Sequence, residues 1–529
     1  MNIRTADFRD VGEHGLTDAR VAGLVDEHAR VTQPRLRMLW AYYRNALVLR
    51  SSEAGGGLGV GGGAGGRAYR LAQERGLPAR IVRAGASGGA GSLAADDRGA
   101  ARREIVVEND IAWRIHAMVD FLFSKPVRLV SAAADPAKRT LIQRVLDEVW
   151  EVSGGAALLQ DIALLGHVYG HVDLVVRAAS DLAGDLASAA GKAEPVDAAR
   201  VAAGLRIEPI EPSRGVPVID PRDYRSIEAY LIRTTIDTPE RGRVAITEVL
   251  SGTRRHVYEE EQEGAPAQHQ GARGPAGRGG DAAGAHGRAS AKARLVLDEP
   301  NTVCPGEVPV VHIQNISQPF AYAGLSDVEP LIPLQDELNT RLSDRANRVT
   351  LQSFKMYLAK GIEGFDKQPV GPGQLWMTDN PHASIEAFGG DAASPSEDRH
   401  IEQVRDAMDK ASSLPPLATG VVQAKVGNLT SENALRLTLG GVLTRTNRKR
   451  LLYGRGIAQA CRLVLSALDD AGVLRTSEED RRVKVEWSDP LPQTAESQLQ
   501  TAKAKLEVGI DAEQVRTELG YGVADEGVV

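Results

Sequence analysis

The strongest pattern of apolar and polar positions in this chain runs from residue 326 to about residue 472. Leucines at every third or fourth position, with charged residues on the opposite face, predict an amphipathic helix over 326–351. A second helix is predicted over 394–414, and a proline pair ends it. Its apolar stripe consists of Ile401, Val404, Met408 and Ala411. The sequence therefore predicts two antiparallel helices that bracket a small β-containing segment.

Both helices begin with a serine followed three residues later by a glutamate, which is the pattern of a capping box. Ser326 pairs with Glu329 in the first helix, and Ser394 pairs with Glu397 in the second. In a capping box, each side chain accepts a hydrogen bond from the backbone N–H of the other residue. Pro333 predicts a bend in the first helix, because its ring removes one backbone hydrogen bond.

A long helix is predicted over 431–472, after a loop at 415–430 in which Lys425 is the only charged residue. Gly440 and Gly441 predict a kink or a break in this helix. Its C-terminal half is apolar on nearly every side, so we expect it to be buried. Its centre is basic, and we expect a solvated or subunit-facing surface there, with DNA contact as the alternative. The basic residues are Arg445, Arg448, Lys449, Arg450 and Arg455.

The rest of the chain mixes helical and strand patterns, which predicts an α+β fold. Residues 16–50 have helical periodicity, and the chain has a strand-like start near residue 103. Asp135 followed by Pro136 predicts a helix start, since aspartate caps well and proline fits the first turn. Residues 205–260 alternate in the manner of an antiparallel meander. Glycine- and alanine-rich segments interrupt these patterns at 51–102, 179–204 and 261–293.

Composition excludes some classes of protein. The chain has 529 residues, too many for a single hydrophobic core, so several domains are expected. Its net charge of -7 argues against a sequence-reading DNA binder but is compatible with a protein that merely surrounds DNA. No apolar run resembles a membrane span or a signal peptide, which predicts no membrane association. Two widely separated cysteines predict no redox pair or metal site.

Two short motifs could carry chemistry, and each lacks the context that the chemistry needs. Gly57, Gly59 and Gly62 match the spacing G-x-G-x-x-G, but neither a strand before them nor a helix after them is predicted. His167 and His171 have a zinc-ligand spacing, but the glycines around them favour a turn into a strand, with no third ligand nearby. We therefore expect no enzyme activity, no metal and no cofactor.

The order of motifs along the chain resembles that of portal proteins of tailed bacteriophages, in particular the siphophage branch. The resemblance covers most of the chain outside the glycine-rich segments, and it rests on the ordered set of motifs. These motifs are LRMLWAYYRNAL, FLFSKPVRL, VWEVSGGAALLQDIALLGHVYGHVDLVV, DPRDYRSIEAYLIRT, GLSDVEPLIPLQDELNTRLSDRANRV, SLPPL, LTSENALRLTLGGVLTR and WSDPLPQT.

The resemblance implies a portal-type fold with an α/β wing, a two-helix stem, a small β-containing clip, a long kinked helix with a tunnel loop, and a helical crown. The wing would comprise 1–50, the glycine-rich insertion 51–102, the α/β part 103–325 and a return strand at 473–493. The stem helices would be 326–351 and 394–414, the clip 352–393, the tunnel loop 415–430, the long helix 431–472 and the crown 494–529.

The resemblance also implies a function. A ring, usually of twelve copies, would sit at one capsid vertex of the virion and form a channel for packaging and ejection of double-stranded DNA, after assembly in the host cytoplasm. Its partners would be the terminase large subunit, the major capsid and scaffolding proteins, and a head-tail adaptor. The tunnel loop would present Thr419, Val421, Val422, Gln423, Lys425 and Asn428 to DNA. The stem would line the channel with Glu397, Asp398, Glu402, Arg405 and Asp409, and the clip would bind partners through Phe365, Lys367, Gln374 and Trp376.

Two other classes of protein remain open at this stage. One is a different head or tail structural or adaptor protein, which would form a monomer or a shell instead of a ring. The other is a nucleotide-binding enzyme that uses the glycine-rich segment near residue 60.

Overall fold

The computed structural model describes most of the chain outside the glycine-rich segments. The described residues are 17–45, 106–123, 125, 127–178, 198–220, 222–238, 242–262, 293–353, 356–360, 380–388, 394–419, 432–491, 495–510, 512 and 515–516. The α-helices are α1 (Asp18–Glu27), α2 (Gln33–Arg44), α3 (Asp110–Phe123), α4 (Pro136–Val152), α5 (Gly155–Tyr169), α6 (Ala198–Ala202), α7 (Ile332–Ser353), α8 (Pro395–Ser412), α9 (Glu432–Thr438), α10 (Gly440–Asp470) and α11 (Ala495–Glu507). The strands are β1 (Arg128–Ser131), β2 (His171–Ala178), β3 (Leu205–Ile210), β4 (Gly215–Asp220), β5 (Asp223–Thr238), β6 (Gly242–Ser251), β7 (Arg254–Gln262), β8 (Arg294–Pro300), β9 (Val310–Gln314), β10 (Met356–Lys360), β11 (Ser384–Phe388) and β12 (Val483–Glu486).

The fold is mixed α+β, as predicted. α1 and α2 are joined by a π-helical turn, His28–Thr32, into one helical segment. Its C-terminal part reaches the first stem helix, because Arg35 pairs with Glu329 and the Tyr42 hydroxyl donates to Asp336. The predicted N-terminal helix is therefore confirmed, and it packs beside the stem.

A large apolar core lies where α3, α4, α5, α10 and the three-stranded sheet β3-β2-β9 meet. β2 is the central strand and is antiparallel to both neighbours. The predicted start of α4 is confirmed, since Asp135 Oδ1 accepts a hydrogen bond from the Ala137 N–H at 3.2 Å. The turn from α5 into β2 is confirmed too. It requires glycine at Gly170, because φ is +92° and a Cβ would lie 2.4 Å from the Gly324 carbonyl oxygen.

The strand-like start predicted near residue 103 is not a strand where it is described. Residues 106–109 lie along α7 without regular structure. The Val106 N–H donates to Ser343 Oγ at 3.0 Å, and the Glu108 N–H donates to Asn339 Oδ1 at 2.9 Å. Polar side chains of the stem helix therefore take the place of a strand partner.

The predicted meander is confirmed as a five-stranded antiparallel sheet in the order β4-β5-β6-β7-β8. It joins the three-stranded sheet through polar side chains: Tyr230 of β5 donates to Asp173 of β2 at 2.6 Å. Arg177 of β2 also forms a bidentate pair with Glu248 of β6, at 2.8 and 2.7 Å. These side-chain contacts therefore hold the five-stranded sheet against the three-stranded sheet and its helices.

α7 and α8 are the two helices predicted for the stem, and the antiparallel hairpin β10–β11 lies between them in sequence. Their contact buries Leu338 and Leu342 of α7 and Val404 and Met408 of α8. Each such side chain contributes about 1.5–3 kcal/mol when it is fully buried. The predicted apolar stripes are therefore the surfaces by which the two helices pack.

The predicted capping is only partly correct. Ser326 Oγ accepts from the backbone N–H of Val328 at 3.0 Å, but Glu329 pairs with Arg35 instead of reaching back. A 3₁₀ turn, Glu329–Leu331, precedes α7, so Pro333 sits in the first turn of the helix and no bend inside a longer helix is needed. At α8, the Ser394 side chain caps nothing, and its carbonyl oxygen accepts from Glu397 and Asp398.

The break predicted at Gly440 and Gly441 is confirmed, and it lies one residue before them, at Leu439. α9 ends at Thr438, Leu439 departs from helical geometry with ψ of 4°, and α10 continues for 31 residues. The C-terminal half of α10 is buried against the core, as predicted. β12 returns to pair with β1 in an antiparallel ladder.

Candidate functional site

The exposed face of α8 is the stem surface that can meet solvent or a ligand. Ile401, Val404 and Met408 point inward, which leaves the opposite side exposed. The exposed residues on that side are Arg399, Glu402, Gln403, Asp406 and Lys410. Two carboxylates lie between the two cations on this face, and the exposed Asp398 adjoins it, so the face carries charges of both signs and little net charge.

The five stem residues predicted to line a channel lie in different surroundings. Glu402 is 70% exposed and lies 3.9 Å from Arg399, and Asp398 forms an exposed pair with Arg345 at 3.0 Å. Glu397 forms an ion pair with Arg348 of α7. Arg405 Nη2 donates to Glu108 at 2.6 Å, and Asp409 binds Arg114 at 2.7 Å. Only Glu402 and Asp398 among them have both an exposed side chain and no contact with the wing.

Arg114 forms a buried junction between α3 and α8. Its side chain on α3 is 2% exposed and lies between Asp110, at 3.4 Å, and Asp409 of α8, at 2.7 Å. Burial raises the pKa of both carboxyl groups, although the arginine charge opposes that rise. Because α3 belongs to the large core, this pair fixes the C-terminal half of α8 to the wing.

A second buried charge site joins the segment before α7 to α10, and we call it the Asp327 cluster: Asp327, Arg445, Lys449 and Asn315. Asp327 is fully buried just before α7. Its Oδ1 accepts from Arg445 at 2.5 Å, and its Oδ2 accepts from Lys449 at 2.5 Å and from Asn315 at 2.7 Å. Its backbone N–H donates to the His167 carbonyl oxygen at 2.9 Å.

The cluster shifts the pKa of each ionisable member. Burial is the largest single influence on Asp327 and opposes its ionisation, but the charges of Lys449 and Arg445 and the hydrogen bond from Lys449 act together against it and hold the pKa of the carboxyl group far below its usual range. Burial lowers the pKa of Lys449 to about 8, although Asp327 opposes this shift. Burial and the charge of Lys449 lower the pKa of His167 to about 3. The imidazole is therefore neutral, and the cluster carries two cations and one anion.

This arrangement corrects the expectation of a solvated basic surface at the centre of the long helix. Lys449 is buried, Arg445 is partly buried, and Arg450 stacks on Trp487, so these three residues face protein; Arg448 and Arg455 remain exposed. The spacing of residues in the sequence already indicated that Lys449 is buried. Lys449 lies four residues before Tyr453 and eight before Ile457, both buried, so it belongs to the inward stripe of the helix.

Arg445 also reaches the end of the second stem helix. Its guanidinium donates to the Ala411 carbonyl oxygen at 3.1 Å, and Ser413 Oγ lies 3.5 Å away. Ser413 ends α8 in the left-handed conformation, with φ of +58°. Gly441 passes the same point, since a Cβ there would lie 3.6 Å from the Ser413 carbonyl oxygen. The end of α8 and the start of α10 are therefore in contact next to the predicted tunnel loop.

Most residues predicted for the tunnel loop and the clip lie outside the described residues. These are Val421, Val422, Gln423, Lys425 and Asn428 of the loop and Phe365, Lys367, Gln374 and Trp376 of the clip. The same holds for Gly57, Gly59 and Gly62. Thr419 is the last residue of the 3₁₀ turn Pro416–Thr419 that leads into the loop. On the far side, Arg436 of α9 pairs with Asp489 at 2.6 Å.

A third group of buried polar side chains, centred on Asp173, connects strands of the two sheets. Asp173 accepts hydrogen bonds from Tyr230 at 2.6 Å and Tyr322 at 2.8 Å, and His312 Nδ1 lies 2.6 Å away. His312 opposes the effect of burial on Asp173 and holds the pKa of the carboxyl group below its usual value. These groups link β2, β5 and β9. Within the described ranges, no three histidine, cysteine or acidic side chains are placed to hold a metal ion.

Comparison with known proteins finds a protein family that matches most of the chain. A family model described as "Phage portal protein, SPP1 Gp6-like" matches residues 114–516. The chain belongs to this family of phage portal proteins. This family is one of structural phage proteins and is not an enzyme family. The resemblance inferred from the ordered motifs is therefore confirmed.

Two solved structures are similar to this portal protein at low sequence identity. One is described as "Neck of empty GTA particle computed with C6 symmetry"; it has 12% identity and a TM-score of 0.39, covering 77% of this chain and 88% of the other. The second is described as "Virion of native gene transfer agent (GTA) particle"; it has 12% identity and a TM-score of 0.38, covering 83% and 98%. No curated protein matches the chain. Among the described helices, none is both long and apolar enough to cross a membrane.

Proposed function

We propose that about twelve copies of this portal protein form a closed ring at one capsid vertex, as is usual for proteins it resembles, and that double-stranded DNA passes through the ring during packaging and ejection. The single observation that carries the proposal is the family match over residues 114–516. In this proposal the parts of the protomer are the wing, stem, clip, tunnel loop and crown, with the ranges expected from the sequence.

The charge on the exposed face of α8 supports a channel wall. DNA is a polyanion, and a protein that neutralises many phosphates binds it tightly. A wall that carries both carboxylates and cations, with little net charge, would bind phosphates weakly and let the duplex slide. We place Glu402 and Asp398 on the channel side. Asp409 is held by Arg114 and Glu397 by α7, whereas Arg405 forms an exposed ion pair with Glu108 at the edge of this face.

In the proposed ring, the tunnel loop narrows the channel. Thr419, Val421, Val422, Gln423, Lys425 and Asn428 would face DNA. Repetition of Lys425 around the ring would place a circle of cations beside the phosphates, while polar neighbours donate hydrogen bonds. The clip residues Phe365, Lys367, Gln374 and Trp376 would meet the terminase large subunit during packaging and the head-tail adaptor afterwards. Capsid and scaffolding proteins would surround the wing, and assembly would take place in the host cytoplasm.

Size-exclusion chromatography with light scattering, followed by negative-stain imaging, tests the proposal. The expected result is a particle of uniform mass that appears in end view as a ring with a central hole. A protein that stays monomeric, or assembles into a shell, would favour another head or tail structural role. A variant that lacks 55–66 should form the same ring, because no part of the proposed channel uses the glycine-rich segment.

A further inference from the structure

An exposed phenylalanine projects from the loop 315–325, which connects β9 to the segment before α7. Phe320 is 85% exposed, and its backbone lies in the left-handed region with φ of +61°. A bulky side chain seldom adopts this conformation, and the strain persists only where the surrounding structure imposes it. The exposed ring adds nothing to the core of the protomer, so the strained conformation indicates a function outside the protomer.

The loop is held rigidly by hydrogen bonds. Gln314 Nε2 donates to the Ala321 carbonyl oxygen at 2.8 Å, and Gln314 Oε1 accepts from the Gln318 N–H at 3.2 Å. The Leu325 N–H donates to the Ile316 carbonyl oxygen at 3.0 Å and closes the loop. Because these contacts fix the backbone on both sides of the ring, Phe320 would lose little conformational entropy on binding a partner.

An aromatic ring and charged side chains surround Phe320. The ring of Tyr224, at the start of β5, lies 6.1 Å from the Phe320 ring, and the Arg225 guanidinium lies 5.2 Å over Tyr224. Asp223 and Arg225 are exposed on either side of Tyr224 in the sequence. An apolar centre inside a polar rim is the usual arrangement of a protein–protein interface. We call Phe320 and Tyr224 the aromatic knob.

A cavity of about 730 Å³ lies between β1, α4 and the start of α5. Its volume is in the range of pockets that bury a small ligand, so a benzyl side chain fits inside it. Four buried apolar side chains line it: Leu129, Trp150, Leu159 and Ile457. Carboxylates and arginines share its rim, among them the exposed residues Arg144, Asp147 and Glu151.

The knob and the cavity lie at opposite ends of α5. Gly155 and Leu159, at its N-terminal end, line the cavity. Gly170, directly after its C-terminal end, lies so close to the loop that a Cβ there would be 2.4 Å from the Gly324 carbonyl oxygen. A helix of 15 residues is about 22 Å long, so the knob of a protomer is remote from its own cavity. Two different surfaces at separate places are what a head-to-tail contact between identical copies requires.

We propose that the Phe320 side chain of one copy inserts into the cavity beside β1 of the next copy. The contact rests on the proposed ring and identifies two of the surfaces by which neighbouring protomers meet. A second copy fits as the partner because it supplies an apolar cavity for the ring and rim charges of both signs. Arg225 beside the knob can pair with Asp147 or Glu151, and Asp223 can pair with Arg144.

Chemical cross-linking of the full-length protein tests the contact. Both native cysteines are buried, so exposed cysteines introduced by mutation react alone. Ser317→Cys, beside the knob, is combined with Ala156→Cys, at the cavity, and the assembled protein is treated with a short bismaleimide. The expected product is a series of covalent multimers longer than dimers, because each copy carries both halves of the contact. The matched control replaces Ser317→Cys by Leu295→Cys, which is 44% exposed on β8, and should give no such series.

A mixing experiment tests the same contact without cross-links. Phe320→Ala removes the knob, and Ala156→Arg fills the cavity; both positions are exposed, so each variant should keep the thermal midpoint of the wild-type protomer. Light scattering should show that each variant alone needs at least about a tenfold higher concentration for half-assembly. An equimolar mixture should form heterodimers at concentrations where each variant alone is monomeric, since the Phe320 of one variant meets the open cavity of the other.

The outcomes separate this contact from the proposed function. Rings that form without the expected cross-link, or that form equally well with Phe320→Ala, would overturn the contact and leave the ring unaffected. A series of multimers in the Leu295→Cys control as strong as in the test pair would also overturn it. Wild-type protein that forms no ring would contradict the proposed function, and the contact with it.

Discussion

Replacement of Asp327 by asparagine should be one of the most destabilising single changes in the protein. Asp327→Asn keeps the size of the side chain but leaves Arg445 and Lys449 without a carboxylate. Lys449 is 3% exposed and Asp327 is 0% exposed, so water cannot compensate. Breaking a buried ion pair by removing one partner costs about 3–5 kcal/mol.

Lys449→Met should cost much less, about 1 kcal/mol or below, although it removes a member of the same ion pair. Methionine fills a similar volume, and Asp327 keeps Arg445 and Asn315 as partners. Replacing a buried charge by an apolar side chain is often neutral when no other charge is left unpaired. We therefore expect Asp327→Asn to lower the free energy of unfolding much more than Lys449→Met, although the two residues form one ion pair.

Urea unfolding followed by tryptophan fluorescence measures this difference, at one protein concentration for all variants, because assembly shifts apparent stability. Arg462→Met is the matched control: it lies on the same helix and breaks a partly exposed pair with Glu307, so it should cost less than about 1 kcal/mol. If Asp327→Asn cost no more than Lys449→Met, the assignment of Asp327 as the carboxylate that compensates both the buried Lys449 and the partly buried Arg445 would be wrong.

Four further predictions concern charge and capping. Burial lowers the pKa of Lys449 to about 8 in the folded protein, against 10.5 for an ordinary lysine, so the folded state releases the proton first; wild-type stability should rise relative to Lys449→Met between pH 8 and 10, as urea titrations at several pH values can measure. Arg114→Met should lower the free energy of unfolding by about 3–5 kcal/mol in the same assay, because two carboxylates lose their cation. Asp135→Ala should cost about 1 kcal/mol and Ser394→Ala clearly less, since only the aspartate side chain caps its helix; urea midpoints would test this. Lys425→Glu should form rings but reduce DNA packaging, and normal DNA content in those particles would contradict the role given to this lysine.

Sequence patterns predicted those helices whose formation depends on residues close together in the chain. The leucine stripe of α7 and the stripe of α8 are the surfaces that pack, and Asp135 with Pro136 starts α4. The break before α10 lies beside the paired glycines, because glycine is a poor helix former. These features depend on residues within a few positions of each other, so periodicity and capping rules are sufficient to find them.

The Asp327 cluster depends on distant residues and was not predicted. Lys449 lies 122 positions after Asp327, and a lysine is assigned to solvent unless its partner is known. Arg114 and Asp409 are 295 positions apart, so their pairing was not predicted either. The segment at 106–109 has β-branched residues but meets serine and asparagine of α7 instead of a strand. Burial of charge is decided by tertiary partners, and a single sequence does not identify them.

A cryo-EM reconstruction of the purified, assembled protein tests the central claim most directly. We expect a closed ring whose channel is walled by the exposed face of α8, with Glu402 toward the axis and the tunnel loop, 415–430, at the narrowest point. An assembly without a central channel would contradict the account. A ring in which α8 faces outward and the tunnel loop lies on the periphery would contradict it equally.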